Sequence, residues 1–252
     1  MPSKHALLSP SAAERWTKCP ASPVMSQGSP YRTSYPAERG TLIHEMAEKV
    51  LKDQIKDSSI EDHYAGKTFT TVIEEDDEKI EVVVDDEMLG MAKQYADYIL
   101  QRHEELGGKR LIEEQVTLEE INPHLWGTLD CAIITEKEIE IIDLKTGAWP
   151  VDPNNLQLKI YALGILDRYP YENAKVKLTI VQPVSRDKKG PIKTYETSVE
   201  DLVNWAYDFL KPAADACLEP EPKFNFGEHC RFCLYQQQCP TYNTNKGGKN
   251  VG

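Results

Sequence analysis

Two neighbouring apolar stretches, each interrupted by an aspartate, constrain this chain more than any other feature. Residues 126–147 read WGTLDCAIITEKEIEIIDLKTG, which predicts two strands joined by a polar turn. With Glu136 and Lys137 at the centre of that turn, Asp130 lies opposite Asp143, and directly opposed side chains sit roughly 4.5–5.5 Å apart. Because two buried carboxylates at that separation oppose folding, we expect a cation between them.

A lysine accompanies the second aspartate. Lys145 follows Asp143 by two residues, so the period of a strand places both side chains on one face. A lysine beside metal-bound carboxylates can position a water and neutralise charge that develops on a phosphate. The alternative is a surface hairpin with an Asp–Lys ion pair, but the preceding GTLD strand favours a site. One of Glu113 and Glu114, on the strand before, is expected to point towards it.

Two helices supply further candidates. His44, in GTLIHEMAEK, lies beside the apolar face of a helix that begins at Thr41. An imidazole near two carboxylates suits Mn²⁺ as well as Mg²⁺, and a solvent-facing histidine is the alternative. Gln157 and Tyr161 are four residues apart on a later helix, so they share a face. The glutamine could orient a lysine, water or phosphate, and the tyrosine could hydrogen-bond or stack on a base.

A cysteine cluster near the C-terminus indicates metal or cluster binding. Cys230, Cys233 and Cys239 follow the spacing C-x2-C-x5-C, and Cys19 is the best fourth ligand, with His229 a weaker one. Zinc would form a closed tetrahedral site, whereas a [4Fe–4S] cluster would use four thiolates, one of them distant. The spacing does not distinguish these groups. Either one would tie the N-terminal segment to the C-terminal segment, so its loss should destabilise the fold.

Periodicity and capping residues predict a mixed α/β sandwich. The predicted elements, in chain order, are a short helix opened by Ser9 and Pro10, a helix from Thr41, a hairpin of 67–73 and 79–84, a helix over 86–106, strands near 111–118, 126–135 and 138–145, a helix over 153–168, strands at 175–182 and 192–197, and a helix over 199–216. The two remaining cysteines, Cys131 and Cys217, are assigned to the core.

Composition sets the broad class. The 252 residues are 40% hydrophobic and 28% charged, as in globular proteins. The absence of an eighteen-residue apolar run and of an apolar signal core leads us to expect a cytoplasmic protein without a membrane span. We expect one domain over residues 1–240, with an acidic hairpin insertion at about 57–87. Residues 241–252 are expected to form a flexible tail.

Charge is distributed unevenly along the chain. The net charge of −12 argues against a protein that coats nucleic acid, but nine acids lie between Glu74 and Glu87 alone. Residues 1–40 instead hold five Lys or Arg against two acids. A local basic groove therefore remains compatible with the sequence, and a second basic patch follows near residues 186–193. The candidate DNA-contacting residues of the first patch are Arg15, Lys18, Arg32 and Arg39.

The motifs, taken in order, resemble the RecB-type branch of the PD-(D/E)xK nuclease superfamily. More narrowly, they are similar to its iron–sulfur members, such as the AddB nuclease domain, the CRISPR-adaptation exonucleases and phage-associated proteins. The likeness covers nearly the whole chain: Cys19, GTLIHEMAE, GTLD, IIDLKTG, QLKIY and the cysteine triplet. Leu129 stands where the superfamily name has a proline, and the acidic region about 57–87 has no counterpart.

The resemblance implies a restriction-endonuclease-like fold, a mixed central sheet flanked by helices, with the N- and C-termini joined by a cluster on four cysteines. It implies that the catalytic Mg²⁺ or Mn²⁺ is held by His44, Asp130, Asp143 and the backbone carbonyl of Leu144. It implies that Lys145 is the catalytic lysine and that Gln157 and Tyr161 form an accessory Q-x3-Y motif. It implies a [4Fe–4S] cluster, with zinc as the alternative, on Cys19, Cys230, Cys233 and Cys239.

These observations lead to two hypotheses from different classes. The first is a metal-dependent DNA exonuclease that hydrolyses phosphodiester bonds at DNA ends in recombination, repair or phage DNA processing. Its partners would be DNA and a recombination protein, in a bacterial host and with a phage or prophage origin. The second is a non-catalytic DNA- or protein-binding module with a structural zinc or iron–sulfur site, which the acidic net charge keeps open.

Overall fold

The computed structural model describes residues 6–29, 33–73 and 78–247. The helices and strands are α1 (Ala13–Trp16), α2 (Ala21–Met25), α3 (Tyr35–Leu51), α4 (Ile60–Tyr64), β1 (Thr68–Ile73), β2 (Glu78–Val83), α5 (Asp86–Leu106), β3 (Lys109–Thr117), β4 (Trp126–Ile134), β5 (Glu138–Leu144), α6 (Leu156–Arg168), β6 (Lys175–Val181), β7 (Ile192–Ser198), α7 (Val199–Trp205), α8 (Lys211–Ala216) and α9 (Pro240–Gly247). No helix in these ranges is both long and apolar enough to cross a membrane.

A five-stranded mixed sheet forms the centre of the fold, in the order β3-β4-β5-β6-β7. Neighbouring strands are antiparallel except for β5 and β6, which are parallel and are connected through α6. A parallel pair requires such a crossover, because a short turn can join only antiparallel strands. The predicted mixed sheet flanked by helices is confirmed.

Helices cover both faces of the sheet. On one face, Ile43 and Met46 of α3 and Met88 of α5 pack into a core that includes Ile133 and Ile142 of the sheet. On the other face, side chains of α1, α6, α7 and α8 pack against the sheet. Because both faces are covered, nearly every residue of β5 is buried, whether apolar or not. An acidic side chain on β5 must therefore have a partner inside the protein.

The acidic region near residues 57–87 packs against the first of these cores. Its strands β1 and β2 form a separate antiparallel sheet in which Thr68 pairs with Val83, as the sequence predicts. Ile60 and Tyr64 of α4 and Val82 of β2 are buried together with α3 and α5. The most acidic stretch, residues 74–77, lies outside the described residues.

The structure differs from the predicted elements at three places. Helix α3 begins at Tyr35 instead of Thr41, because Ser34 is extended and Pro36 suits the first helical turn. The predicted helix over 199–216 contains a π-helical segment, Ala206–Leu210, before Pro212, which lacks the N–H of a regular helix. The tail predicted to be flexible from Thr241 forms α9 as far as residue 247.

Candidate active site

The two aspartates lie where β4 and β5 separate. In the hydrogen-bonded ladder between these strands, the first pair is Ile134 with Ile139 and the last is Cys131 with Ile142. The next residues in the same register are Asp130 and Asp143, which therefore lie opposite each other. This predicted register is confirmed. Beyond the last pair, the Leu144 N–H donates to the Asp130 carboxylate at 2.8 Å. Asp130 is thus held by the backbone of the strand that carries Asp143.

Asp130 also meets a histidine and a glutamate from two other elements. His44 of α3 places Nδ1 3.4 Å from an Asp130 oxygen. One ligand atom each from His44, Glu113 and Asp130 lies within 4.8 Å of the others. These side chains line a cavity of about 380 Å³, together with Gly40 and Thr146. Imidazole nitrogen and carboxylate oxygen atoms in such a group match the ligands that Mn²⁺ and Mg²⁺ take in proteins.

Glu113 enters the site through an unusual backbone conformation. Its φ of 51° lies in the left-handed region, which non-glycine residues rarely adopt. The β3–β4 register is the same before and after Glu113, because Ile112 pairs with Cys131 and Glu114 pairs with Leu129. Glu113 therefore lies opposite Asp130. Burial, followed by the nearby Asp130 carboxylate, raises the pKa of Glu113 to about 8. The sequence predicted that either Glu113 or Glu114 points towards the site. Glu114 instead forms an ion pair with Arg168.

Asp143 is the most buried acid of the site, with 1% of its surface exposed. Lys145 Nζ lies 2.8 Å from Oδ2, so the two side chains form an ion pair. Oδ2 is fully buried, and this ammonium is its one polar contact among the described residues. Burial raises the pKa of Asp143 to about 6, since Lys145 offsets only part of the desolvation and Asp130 adds repulsion.

Glu140, on the same strand, shows how a structural carboxylate is accommodated. Its carboxylate accepts hydrogen bonds from Tyr98 Oη at 2.9 Å, Thr179 Oγ1 at 2.6 Å and Arg102 Nε at 2.9 Å. It is fully buried and its oxygens are saturated by fixed donors. Asp143 has no comparable set of fixed donors among the described residues, since its Oδ2 contacts only the Lys145 ammonium, so its carboxylate can accept a further ligand.

Helix α6 positions Lys145 through a short chain of polar groups. Lys145 Nζ donates to Gln157 Oε1 at 3.0 Å, and Gln157 Nε2 donates to the Tyr161 hydroxyl at 3.3 Å. Burial lowers the pKa of Lys145, but Asp143 and Asp130 together raise it by more, so the group is an ammonium at neutral pH. The predicted shared face of Gln157 and Tyr161 is confirmed. Stacking of a base on Tyr161 is not supported, because only 4% of this residue is exposed.

The cysteine cluster lies between the two ends of the described chain. Asn225 N–H donates to Cys19 Sγ at 3.5 Å, and Tyr242 N–H donates to Cys239 Sγ at the same distance. A cavity of about 20 Å³ is lined by Cys19, Cys230, Cys233 and Cys239. His229 also lines it, although its Nε2 engages the Asn225 carbonyl. Burial raises the pKa of the Cys19 thiol, which a bound metal would reverse.

Comparisons with known proteins place the chain in a family and relate its fold to a solved structure. A family model described as a protein of unknown function, DUF2800, matches residues 5–248. The chain belongs to the DUF2800 family. Two curated relatives are named "Gene 69 protein": the chain is 25% identical over 124 residues to that of Mycobacterium phage D29 and 29% identical over 126 residues to that of Mycobacterium phage L5. Each match covers 46% of this chain, and the chain spans 42% and 39% of the relatives' lengths.

The DUF2800 chain also resembles a solved structure described as "Putative exonuclease" from Eubacterium rectale. The two share 12% sequence identity at a TM-score of 0.50, over 94% of this chain and 87% of the other. At this identity the likeness concerns the fold. The mixed sheet flanked by helices is thus an architecture that the two proteins share.

The basic residues predicted to contact DNA have different surroundings in this DUF2800 chain. Arg39 forms ion pairs with Asp85 and Glu87, so its charge is already offset. Arg15 donates to the Phe232 carbonyl at 2.7 Å, in the cysteine-rich segment. Lys18 forms an exposed ion pair with Glu14 at 2.9 Å. Arg32 lies outside the described residues.

Proposed function

We propose that this chain is a divalent-metal-dependent DNA nuclease of the RecB-type branch of the PD-(D/E)xK superfamily, acting on DNA ends. The observation that carries the proposal is the convergence of His44, Glu113 and Asp130 beside the buried ion pair of Asp143 and Lys145. The name of the Eubacterium rectale neighbour supports the reaction class, and the motif order supports the branch.

The residues fit a divalent cation. Two carboxylates and an imidazole, from Glu113, Asp130 and His44, lie within 4.8 Å of one another, and Asp143 lies opposite Asp130 where the two strands separate. The pKa values of Glu113 and Asp143 are raised, since no positive charge balances them fully. When bound, Mg²⁺ or Mn²⁺ would lower the pKa of a coordinated water and polarise a phosphate oxygen. The residues that would hold it are His44, Asp130, Asp143 and the Leu144 carbonyl, with Glu113 as an additional carboxylate.

Lys145 contributes through its charge. Because the pKa of Lys145 is raised, the side chain stays protonated at neutral pH and donates instead of acting as a base. Gln157 fixes the direction of the ammonium group, and Tyr161 fixes Gln157. In this position the ammonium neutralises charge that develops on the phosphate and orients the attacking water.

The test is degradation of end-labelled linear DNA and of closed circular DNA with Mg²⁺ or Mn²⁺. We expect loss of the linear substrate, persistence of the circle, and a rate reduced at least about a hundredfold in Asp143→Asn and Lys145→Gln. Asp215→Asn is the matched control, because Asp215 pairs with Lys211 on α8. Full activity in either site variant contradicts the proposal. Binding without cleavage across several divalent ions would instead favour a binding module.

We also propose that the four cysteines hold a [4Fe–4S] cluster. Support comes from their common cavity and from backbone N–H groups directed at two of the sulfur atoms, which stabilise thiolate charge. Protein purified without oxygen should contain iron and sulfide and absorb broadly in the visible range. Stoichiometric zinc without iron in the same preparation would replace the cluster by a structural zinc site.

The phage relatives support a role in phage DNA processing and a phage or prophage origin. The chain spans about two fifths of the length of these relatives, so a role like that of the whole phage proteins is part of the proposal.

A further inference from the structure

Trp149 is the most exposed large apolar side chain in the part of the chain that the structure describes, with 79% of its surface accessible. It lies in the loop between β5 and α6, four residues after Lys145. An indole that contacts solvent on this scale gains nothing from core packing. Aromatic groups displayed in this way are a common feature of binding surfaces.

The loop that carries Trp149 is anchored by a buried amide. Gln182, which is 1% exposed, donates through Nε2 to the carbonyls of Gly147 at 2.6 Å and Trp149 at 2.7 Å. Its Oε1 accepts from the Val151 N–H at 3.2 Å. All polar groups of one buried side chain thus serve to fix the backbone on both sides of the indole. The exposure of Trp149 is therefore built into the loop.

A basic side chain lies over the indole. The Arg186 guanidinium carbon is 5.8 Å from the ring centroid, a cation–π distance, and the Arg186 N–H donates to the Ala148 carbonyl at 3.0 Å. Lys188 and Lys189 follow and are exposed. Within the described ranges, neither Arg186 nor Lys188 forms an ion pair with a carboxylate. In a chain with a net charge of −12, these free cations mark a local positive surface.

The loop that carries the indole begins at the candidate metal site. Thr146, at the start of the loop, lines the same cavity as His44, Glu113 and Asp130. Trp149 follows three residues later, so its Cα lies within about 11 Å of the Thr146 Cα. A nucleotide whose phosphate occupies the cavity could therefore place its own base, or the next one, at the indole.

We propose that Trp149 is a stacking platform for an unpaired base of the substrate strand, with Arg186 and Lys188 contacting the flanking phosphates. The inference rests on the proposed nuclease function and adds a substrate class, single-stranded or frayed nucleic acid. An unpaired base offers a free face to a protein aromatic group, whereas bases inside a duplex are stacked on both neighbours. The indole face opposite Arg186 receives this base.

The test measures binding of fluorescently labelled short single-stranded DNA in EDTA and in Ca²⁺, with a set of oligonucleotides that each carry one abasic site. Wild-type protein should lose affinity about tenfold at one abasic position, which identifies the stacked base. Trp149→Ala should bind the intact strand about tenfold more weakly and should no longer respond to that position. Trp149→Phe should recover part of both effects, because a phenyl ring still stacks.

Tyr207→Ala is the matched control. Tyr207 is 53% exposed in a groove with the acidic residues Glu120, Asp167 and Glu172, so its loss should change neither affinity nor abasic profile. An unchanged abasic profile in Trp149→Ala overturns the inference even if the protein degrades DNA. Failure of the wild type to bind single strands in both buffers also overturns it. A protein that shows the predicted profile but never cleaves DNA retains the stacking site and loses the proposed nuclease function.

Discussion

At the scale of single residues, the candidate site gathers groups that repel each other in the absence of a cation. Glu113, Asp130 and Asp143 come from three strands, and burial raises the pKa values of the first and the last. In a fold optimised only for stability, such carboxylates would be paired with fixed donors, as Glu140 is. The left-handed backbone of Glu113, with a φ of 51°, is a second feature that a fold optimised only for stability would avoid.

The raised pKa of Glu113 predicts a pH-dependent stability. The folded protein binds this proton more tightly than the unfolded chain, with a pKa of about 8 against 4.5. The contribution of this protonation to the free energy of unfolding is therefore fully present below about pH 4.5 and is lost as pH rises through about 8. In EDTA, Glu113→Gln should flatten the fall in unfolding free energy between about pH 5 and 8, measured by urea denaturation. Glu114→Gln, which loses only a surface pair with Arg168, should keep the wild-type slope.

Two substitutions at Asp130 distinguish the effect of its charge on stability from the effect of its hydrogen bond with the Leu144 N–H. Asp130→Asn keeps an acceptor for this donor and removes a repelling charge, so in EDTA it should be at least as stable as the wild type. Asp130→Ala leaves the donor unpaired and should be less stable than the asparagine variant by about 1–3 kcal/mol. Urea denaturation of both measures the difference. Equal stability of the two variants would show that the hydrogen bond is unimportant.

The sequence was sufficient for those site residues whose positions follow from regular geometry. The turn centre and the period of two determine that Asp130 faces Asp143, and the helical period places Gln157 beside Tyr161. The choice between Glu113 and Glu114 depends on one left-handed backbone conformation, which strand alternation does not predict. Trp149 was missed because its exposure depends on Gln182, a residue 33 positions away.

At the scale of elements, α6 must lie close to the sheet for Gln157 to reach Lys145. This approach depends on Gly164, where an added Cβ would lie 2.6 Å from the Val116 Cβ on β3. Glycine at this point allows the helix to contact the strand directly. The strands themselves were predicted to within about two residues at each end, and for β5 this follows from burial on both faces, which leaves a clear apolar pattern.

Gly164→Ala should therefore displace α6 and lower the unfolding free energy by about 1–3 kcal/mol. Nuclease activity should fall as well, because Gln157 moves with the helix. Gly90→Ala on α5 is the matched control, since nothing lies within 4 Å of its added Cβ. That variant should gain roughly 0.5–1 kcal/mol from helix propensity. Thermal denaturation compares them, and a stable Gly164→Ala would contradict the close contact.

At the scale of the whole molecule, segments far apart in sequence meet at the cysteine cavity. Ala21 N–H donates to the Lys223 carbonyl at 3.0 Å, close to Cys19. The sequence predicted which cysteines converge from their spacing and the family resemblance, but it did not predict the hydrogen bonds that join the segments. A bound cluster would add a link between residues near both ends of the chain.

Cys19→Ser should therefore lose iron and melt at least about 2–4 °C below the wild type, the shift that about 1 kcal/mol produces in a domain of this size. Iron content and thermal denaturation under anaerobic conditions measure the two effects. Cys131→Ala and Cys217→Ala, which alter buried core cysteines, should keep the iron. Full iron in Cys19→Ser would remove Cys19 from the ligand set.

The central claim is that a divalent cation binds among residues of α3, β3, β4 and β5. Diffraction from crystals soaked in Mn²⁺, with data collected at the manganese absorption edge, tests it without relying on activity. We predict an anomalous peak in contact with His44, Asp130 and Asp143 that disappears in Asp130→Asn. No peak at this position at millimolar Mn²⁺, or one that persists unchanged in Asp130→Asn, would contradict it.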